Sequence, residues 1–236
     1  MESKTTGCPP TCTMGPASFV ALAVVQLVAV SVVIVCGMMA GEALGMAGIA
    51  VVELAFLIFW PFRSSVADWV FGGVAAGISL LAAGAAVKSS GTPASGDLSS
   101  LMIAQGLSDV EVWSVVVAVL LVATVVVAFG RQMLRASRTH LVRSLSHGIT
   151  SGVALIGAAG WLFLPDLMPL GTGNRRTFLL VVLVVALVAG VVLSCVWWSD
   201  ADPDPETRFP WVGIALLPVL ITGYVVYLLA VLLPML

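Results

Sequence analysis

Glu53, in the run Val51-Val52-Glu53-Leu54-Ala55-Phe56, falls near the middle of an apolar stretch long enough to cross a bilayer. A charged carboxylate at that depth costs several kcal/mol, so it must be paired, hydrated or protonated. Such a group can carry a proton or hold a cation, and an ionisable side chain inside a membrane reads as functional by default. Counting from the midpoints of the other apolar stretches puts Gln26, Ser31, Ser79, Thr222 and Tyr224 within about 4 Å of the same depth. Glu53, Gln26, Tyr224, Thr222 and Ser79 therefore form a candidate intramembrane polar site, with Pro218 and Gly223 free to kink or unwind the last stretch beside it. The same residues also have a packing reading. A protonated Glu53 can bond a neighbouring helix, and Ser, Thr and Gln are ordinary interhelical glue. Glu42, eleven residues before Glu53, returns to nearly the same helical face. If the helix reaches back that far, the two carboxylates line a stripe about 16 Å long; if it does not, Glu42 is a solvated turn residue.

The elements that must position these groups follow from composition. Of 236 residues, 60% are hydrophobic and only 9% charged, with a mean hydropathy of +1.14, which no water-soluble domain has. Seven segments have spanning length: 18–39, 44–61, 66–88, 110–130, 148–164, 177–198 and 211–233. They lack the alternation of barrel strands, so hydrocarbon forces them to be helices. The expected fold is an all-α integral membrane protein, a bundle of seven transmembrane helices. A short polar tail over 1–17 precedes a single domain over 18–236. The fifth span, at 17 residues, is the shortest. The first is too long for a signal-peptide core and has no basic segment before it, so it is read as retained.

Seven Lys and Arg (Lys4, Arg63, Arg131, Arg135, Arg138, Arg143 and Arg208) fall on the side of the N-terminus, against Lys88, Arg175 and Arg176 on the other. Short basic loops stay cytoplasmic, which predicts the N-terminus inside and the C-terminus outside, in a bacterial plasma membrane. All seven tryptophans lie within four residues of a span end, as headgroup belts require. Gly37, Gly41 and Gly45, Gly73 and Gly77, and Gly148 and Gly152 recur at four-residue spacing and predict close helix contacts. The sixth span, almost wholly Leu, Val and Ala from Phe178 to Leu193, is expected to face lipid. Cys8 and Cys12 sit in the tail, and Cys36 and Cys195 near opposite faces, so no disulfide is expected.

The loop over 131–147 gathers Leu134, Leu141 and Leu145 on one helical stripe with arginines beside it. It reads either as a helix lying on the leaflet, with Arg131, Arg135, Arg138 and Arg143 on anionic headgroups, or as a basic loop that only sets topology. His140 and His147 are about 10 Å apart along a helix, too far for one metal. Arg131-Gln132-Met133-Leu134-Arg135, with Leu141-Val142 and Ser144-Leu145-Ser146, resembles the basic central loop of uncharacterised multi-pass membrane proteins of high-GC actinobacteria. The preference for Arg over Lys, eight to two, suits such a genome. The resemblance implies a kind of host and no activity. Asp200, Asp202, Asp204 and Glu206 alternate like the opening of a calcium loop, but Pro203 and Pro205 and the missing glycine turn make them a solvated acidic connection.

No His-Glu-x-x-His, Gly-x-Ser-x-Gly or Walker lysine motif occurs, and no lysine follows Lys88 to form a retinal Schiff base. An enzyme is not expected, nor is a cofactor, a metal or a nucleic-acid partner. Two functions remain. One is a membrane scaffold or accessory subunit that binds other helices, as a homo-oligomer or with a membrane-protein partner, and anionic lipid. The alternative is a small proton- or cation-coupled transporter using Glu53.

Overall fold

The computed structural model describes residues 16–39, 41–62, 66–89, 109–134, 141–170, 174–200 and 209–232, and these contain helices and no strand. In chain order the helices are α1 (Pro16–Met39), α2 (Gly41–Phe59), α3 (Val66–Ser89), α4 (Asp109–Leu134), α5 (Leu141–Ala158), a 3-10 turn (Ala159–Phe163), α6 (Leu164–Leu170), α7 (Asn174–Asp200) and α8 (Pro210–Leu232). Six of the apolar segments have full spanning length: Phe19–Met38, Glu42–Phe59, Trp69–Val87, Glu111–Arg131, Leu145–Leu167 and Pro210–Leu232. The apolar part of α7, Val181–Trp197, is shorter. The chain is thus a helical bundle with the lengths and apolarity of a multi-pass membrane protein.

The fifth span is the largest correction. It does not stop at 164: the helical path runs from Leu141 to Leu170, and its apolar part of 23 residues is about 34 Å long. Pro165 has no N–H for the carbonyl of Trp161, four residues back, and in a regular helix that carbonyl would be orphaned. Instead the backbone tightens, and the N–H of Leu164 bonds the Trp161 carbonyl. The 3-10 turn is therefore the local answer to a proline, and it carries the helix past residue 164, where the expected span ended.

This segment and α8 form the centre. Ala154, Leu155, Ile156, Ala158, Ala159, Ala215 and Val219 are wholly enclosed, and α8 packs against α1, α2, α5 and α7. By contrast α4 packs chiefly on α3 and α5, touching the 3-10 turn and α8 through Trp113 near its start, and α7 packs chiefly on α8 with a lesser contact to α1. Phe178, Val181, Val184, Val185, Val188, Val192 and Leu193 on α7 are exposed, as expected for a lipid-facing helix.

Backbones touch where glycine permits it, though not always where four-residue spacing pointed. Gly45 lies on the backbone of Gly37, and Gly48 on Cys36, which joins α1 and α2. Gly152 lies against Thr124 of α4, but Gly77 and Gly148 have open space, and Gly73 makes only an ordinary contact with Leu57. The tightest approach joins α5 and α8, with Gly157 and Gly160 lying against the backbone of Gly223. Gly223 thus lets two backbones meet; α8 is not unwound there, and it stays one helix with Pro218 inside.

The tryptophans also depart from expectation. Trp60, Trp113 and Trp161 are buried in the bundle, so they are not belt residues facing headgroups. At one end of the bundle Trp60 packs on Phe56, Phe62 and Trp197, and Phe62 stacks on His147 at 3.8 Å. A second cluster joins Trp113, Phe163 and Tyr227. These large rings pack inside the bundle, where their area contributes most to packing.

Candidate functional site

Pro218 leaves a carbonyl of α8 without its helical donor. It cannot donate to Ile214, and a buried carbonyl without a donor costs about 1–3 kcal/mol. Ser194 of α7 fills the gap, its Oγ donating to the Ile214 carbonyl at 3.1 Å. Gln26 of α1 then donates from Nε2 to Ser194 Oγ at 3.3 Å. One chain of hydrogen bonds, buried throughout, therefore ties α1, α7 and α8 at the point where a proline weakens α8. Thr222 donates to the Pro218 carbonyl at 2.7 Å, one turn further on.

The other predicted polar residues close on different carbonyls. Ser79 of α3 donates to Ile156 of α5 at 2.8 Å, and the Tyr224 hydroxyl to Val153 at 3.0 Å. Ser31 is exposed and bonds its own helix at Leu27. Among the described residues, then, the polar layer is a set of separate interhelical and intrahelical fastenings, and none of these bonds reaches Glu53. Two contributors were missed in the sequence. Ser194 was overlooked because it lies at the edge of an all-apolar run, although a proline four residues after Ile214 signals the need for a donor. Trp161, read as a belt residue, donates from Nε1 to the Val219 carbonyl at 2.8 Å.

Glu53 is only 5% exposed, and its Oε1 has no hydrogen-bond partner. Its helical neighbours Ile49, Val52 and Phe56 are core residues. The helix does reach back far enough to include Glu42, which opens α2 in its first turn, where the helix dipole favours a carboxylate. Glu42 is half-buried, and its Oε1 lies 3.4 Å from where a Cβ on Gly84 would stand. It is therefore a helical residue facing α3, not a solvated turn residue. The arrangement leaves two carboxylates on one side of α2, the outer beside α3 and the inner enclosed in the core.

The arginine segment corrects the leaflet-helix reading. Residues 131–134 continue α4 and residues 141–147 open α5, so its described parts extend two spanning helices and form no separate surface helix. Extending an existing helix avoids the cost of nucleating a new one. Arg131 is half-buried near Gly72, Thr124, Gly148 and Gly152. Arg143 lies in the first turn of α5, and Arg135 and Arg138 lie outside the described residues. Cys36 and Cys195 are free, and no group of three metal-ligating side chains occurs among the described residues.

A cavity of about 520 Å³ lies between α7 and α8, with Thr150 of α5 in its lining. No protein-family model, no curated protein and no solved structure matches this chain.

Proposed function

We propose that the chain is a multi-pass scaffold or accessory subunit of a bacterial plasma membrane, N-terminus inside, that holds other helices on its outer faces and anionic lipid at its arginine-rich end. The observation that carries this reading is the use made of the interior polar groups. Gln26, Ser79, Ser194, Thr222, Tyr224 and Trp161 all donate hydrogen bonds within the bundle, chiefly to helix carbonyls, and this spends them on cohesion. Meanwhile the outer sides of α1, α4 and α7 carry many large exposed apolar residues. The test is cross-linking in native membranes from a cysteine at Val188 on the exposed side of α7. One partner, recovered in fixed stoichiometry and lost when Val184→Trp is combined with that cysteine, is expected; a lone monomer both in the membrane and in mild detergent overturns the reading.

The unpartnered Glu53 favours a second reading, a small proton- or cation-coupled transporter. Vesicles containing the protein would then pass protons or cations, and Glu53→Gln would abolish the flux while the helical spectrum stays unchanged. Absence of flux in both forms removes this reading, and flux that survives the substitution removes Glu53 from it.

A further inference from the structure

Small residues open the cavity between α7 and α8. Ala186, Ala189 and Gly190 on α7 face Leu217, Pro218 and Ile221 on α8, and Gly190 meets the Pro218 ring where the two helices touch. Three hydroxyls reach the lining, from Thr150, Ser194 and Thr222. Those of Ser194 and Thr222 already donate to helix carbonyls, so they present little polarity to an occupant. The rim residues Leu193, Val196 and Ile221 are among the exposed apolar side chains of the outer surface. In a bilayer the cavity therefore opens sideways into hydrocarbon, and what enters it must come from hydrocarbon.

Its position along the bundle narrows the occupant further. Trp197 lines the cavity and packs on Trp60 at the close of α2, while Thr150 lies midway along α5. The cavity thus runs from the middle of α8 toward the end of the bundle where α2 and α7 finish and α5 and α8 begin. Arg143 stands seven residues before Thr150, at the same register position of α5 and about 10 Å nearer that end. An apolar slot of ligand size open to hydrocarbon, with an arginine position two turns nearer the end of α5 than its lining residue Thr150, matches a phospholipid with its tail in the slot.

We infer that the α5–α7–α8 cavity is a binding site for one acyl chain of a bilayer phospholipid, whose headgroup lies at the level of position 143 of α5. This assignment rests on the bilayer-embedded reading above. It does not require a protein partner.

The test is native mass spectrometry of the full chain released from nanodiscs of palmitoyl-oleoyl phosphatidylglycerol, with phosphatidylcholine nanodiscs in parallel. One retained phospholipid per chain is expected for the native protein. Ala189→Phe fills the slot and should weaken retention about tenfold or more, since the tail loses several methylenes of burial. Val184→Phe, on the face of the same helix opposite the cavity, should leave it unchanged and controls for disturbance of α7. Arg143→Gln should weaken retention of both lipids, because both carry the phosphate. Retention by Ala189→Phe equal to that of the native chain overturns the site, and so does equal loss in Ala189→Phe and Val184→Phe. A partner that still cross-links to Ala189→Phe while its lipid is lost would leave the scaffold reading intact, so the two ideas fail separately.

Discussion

At the scale of single residues the bundle turns on how it treats unpaired polar atoms. Pro218 and Pro165 each remove a donor, and the chain answers differently: a tightened backbone serves the Trp161 carbonyl, and a side chain from another helix serves Ile214. The second answer makes Ser194 conditional on Pro218. Ser194→Ala should destabilise the protein by about 1 kcal/mol, near the upper range for interhelical bonds in membranes. In a Pro218→Ala background the restored N–H can reach Ile214, and most of that penalty should vanish. Unfolding midpoints in mixed micelles for the two single variants and the double variant measure the coupling; additive effects would mean that Ser194 does not act through the freed carbonyl. Glu53 is the opposite case, a buried oxygen that no neighbour answers. Its placement was legible in the sequence, because one acidic residue inside an apolar stretch stands out on composition alone. The partners of Gln26, Ser79 and Tyr224 were not, because depth along a helix does not say which neighbour a side chain faces.

At the scale of elements, glycine decides how closely helices approach. Four-residue spacing identified Gly37 with Gly45 and also Gly152, yet it marked Gly77 and Gly148 equally, and these meet nothing. The closest contact, Gly157 and Gly160 against Gly223, has a three-residue spacing on one helix and a single glycine on the other, a pattern that pairwise spacing in one strand of sequence does not reveal. The two kinds of site should respond oppositely to one methyl group. Gly160→Ala and Gly223→Ala place a Cβ into backbone of the facing helix, which cannot yield as a flexible side chain would, and each should cost about 1–3 kcal/mol or more. Gly77→Ala meets open space and gains helix propensity, so it should be neutral or stabilising by up to about 1 kcal/mol. Thermal midpoints of the purified variants test this directly. Equal losses at Gly77 and Gly223 would show that the α5–α8 contact is no tighter than the rest.

At the scale of the whole molecule, the helical character and the order of the apolar segments were legible because hydrocarbon length and apolarity leave few alternatives, although one of the seven has a shorter apolar part; the extent of the fifth was not, because composition does not show that the helix passes Pro165 once the Trp161 carbonyl finds another donor. Orientation is a separate matter, set by charges outside the spans. Aromatic contacts bring the close of α2 and α7 and the start of α5 to one end of the bundle, and Gly213, against the Phe59 carbonyl, adds the start of α8. The connections at this end carry most of the arginines. Short basic loops resist translocation, so this end should lie in the cytoplasm. Reporter fusions after residues 136 and 204 should then be active only inside, and fusions after 98 and 172 only outside. The bias depends heavily on one connection: replacing Arg135, Arg138 and Arg143 by Gln leaves four Lys and Arg against three. That margin is too small to hold one topology, and the same fusions should then report a mixture of both orientations. An unchanged single orientation in the triple variant would mean that some other segment, and not the arginines between α4 and α5, sets how the bundle is inserted.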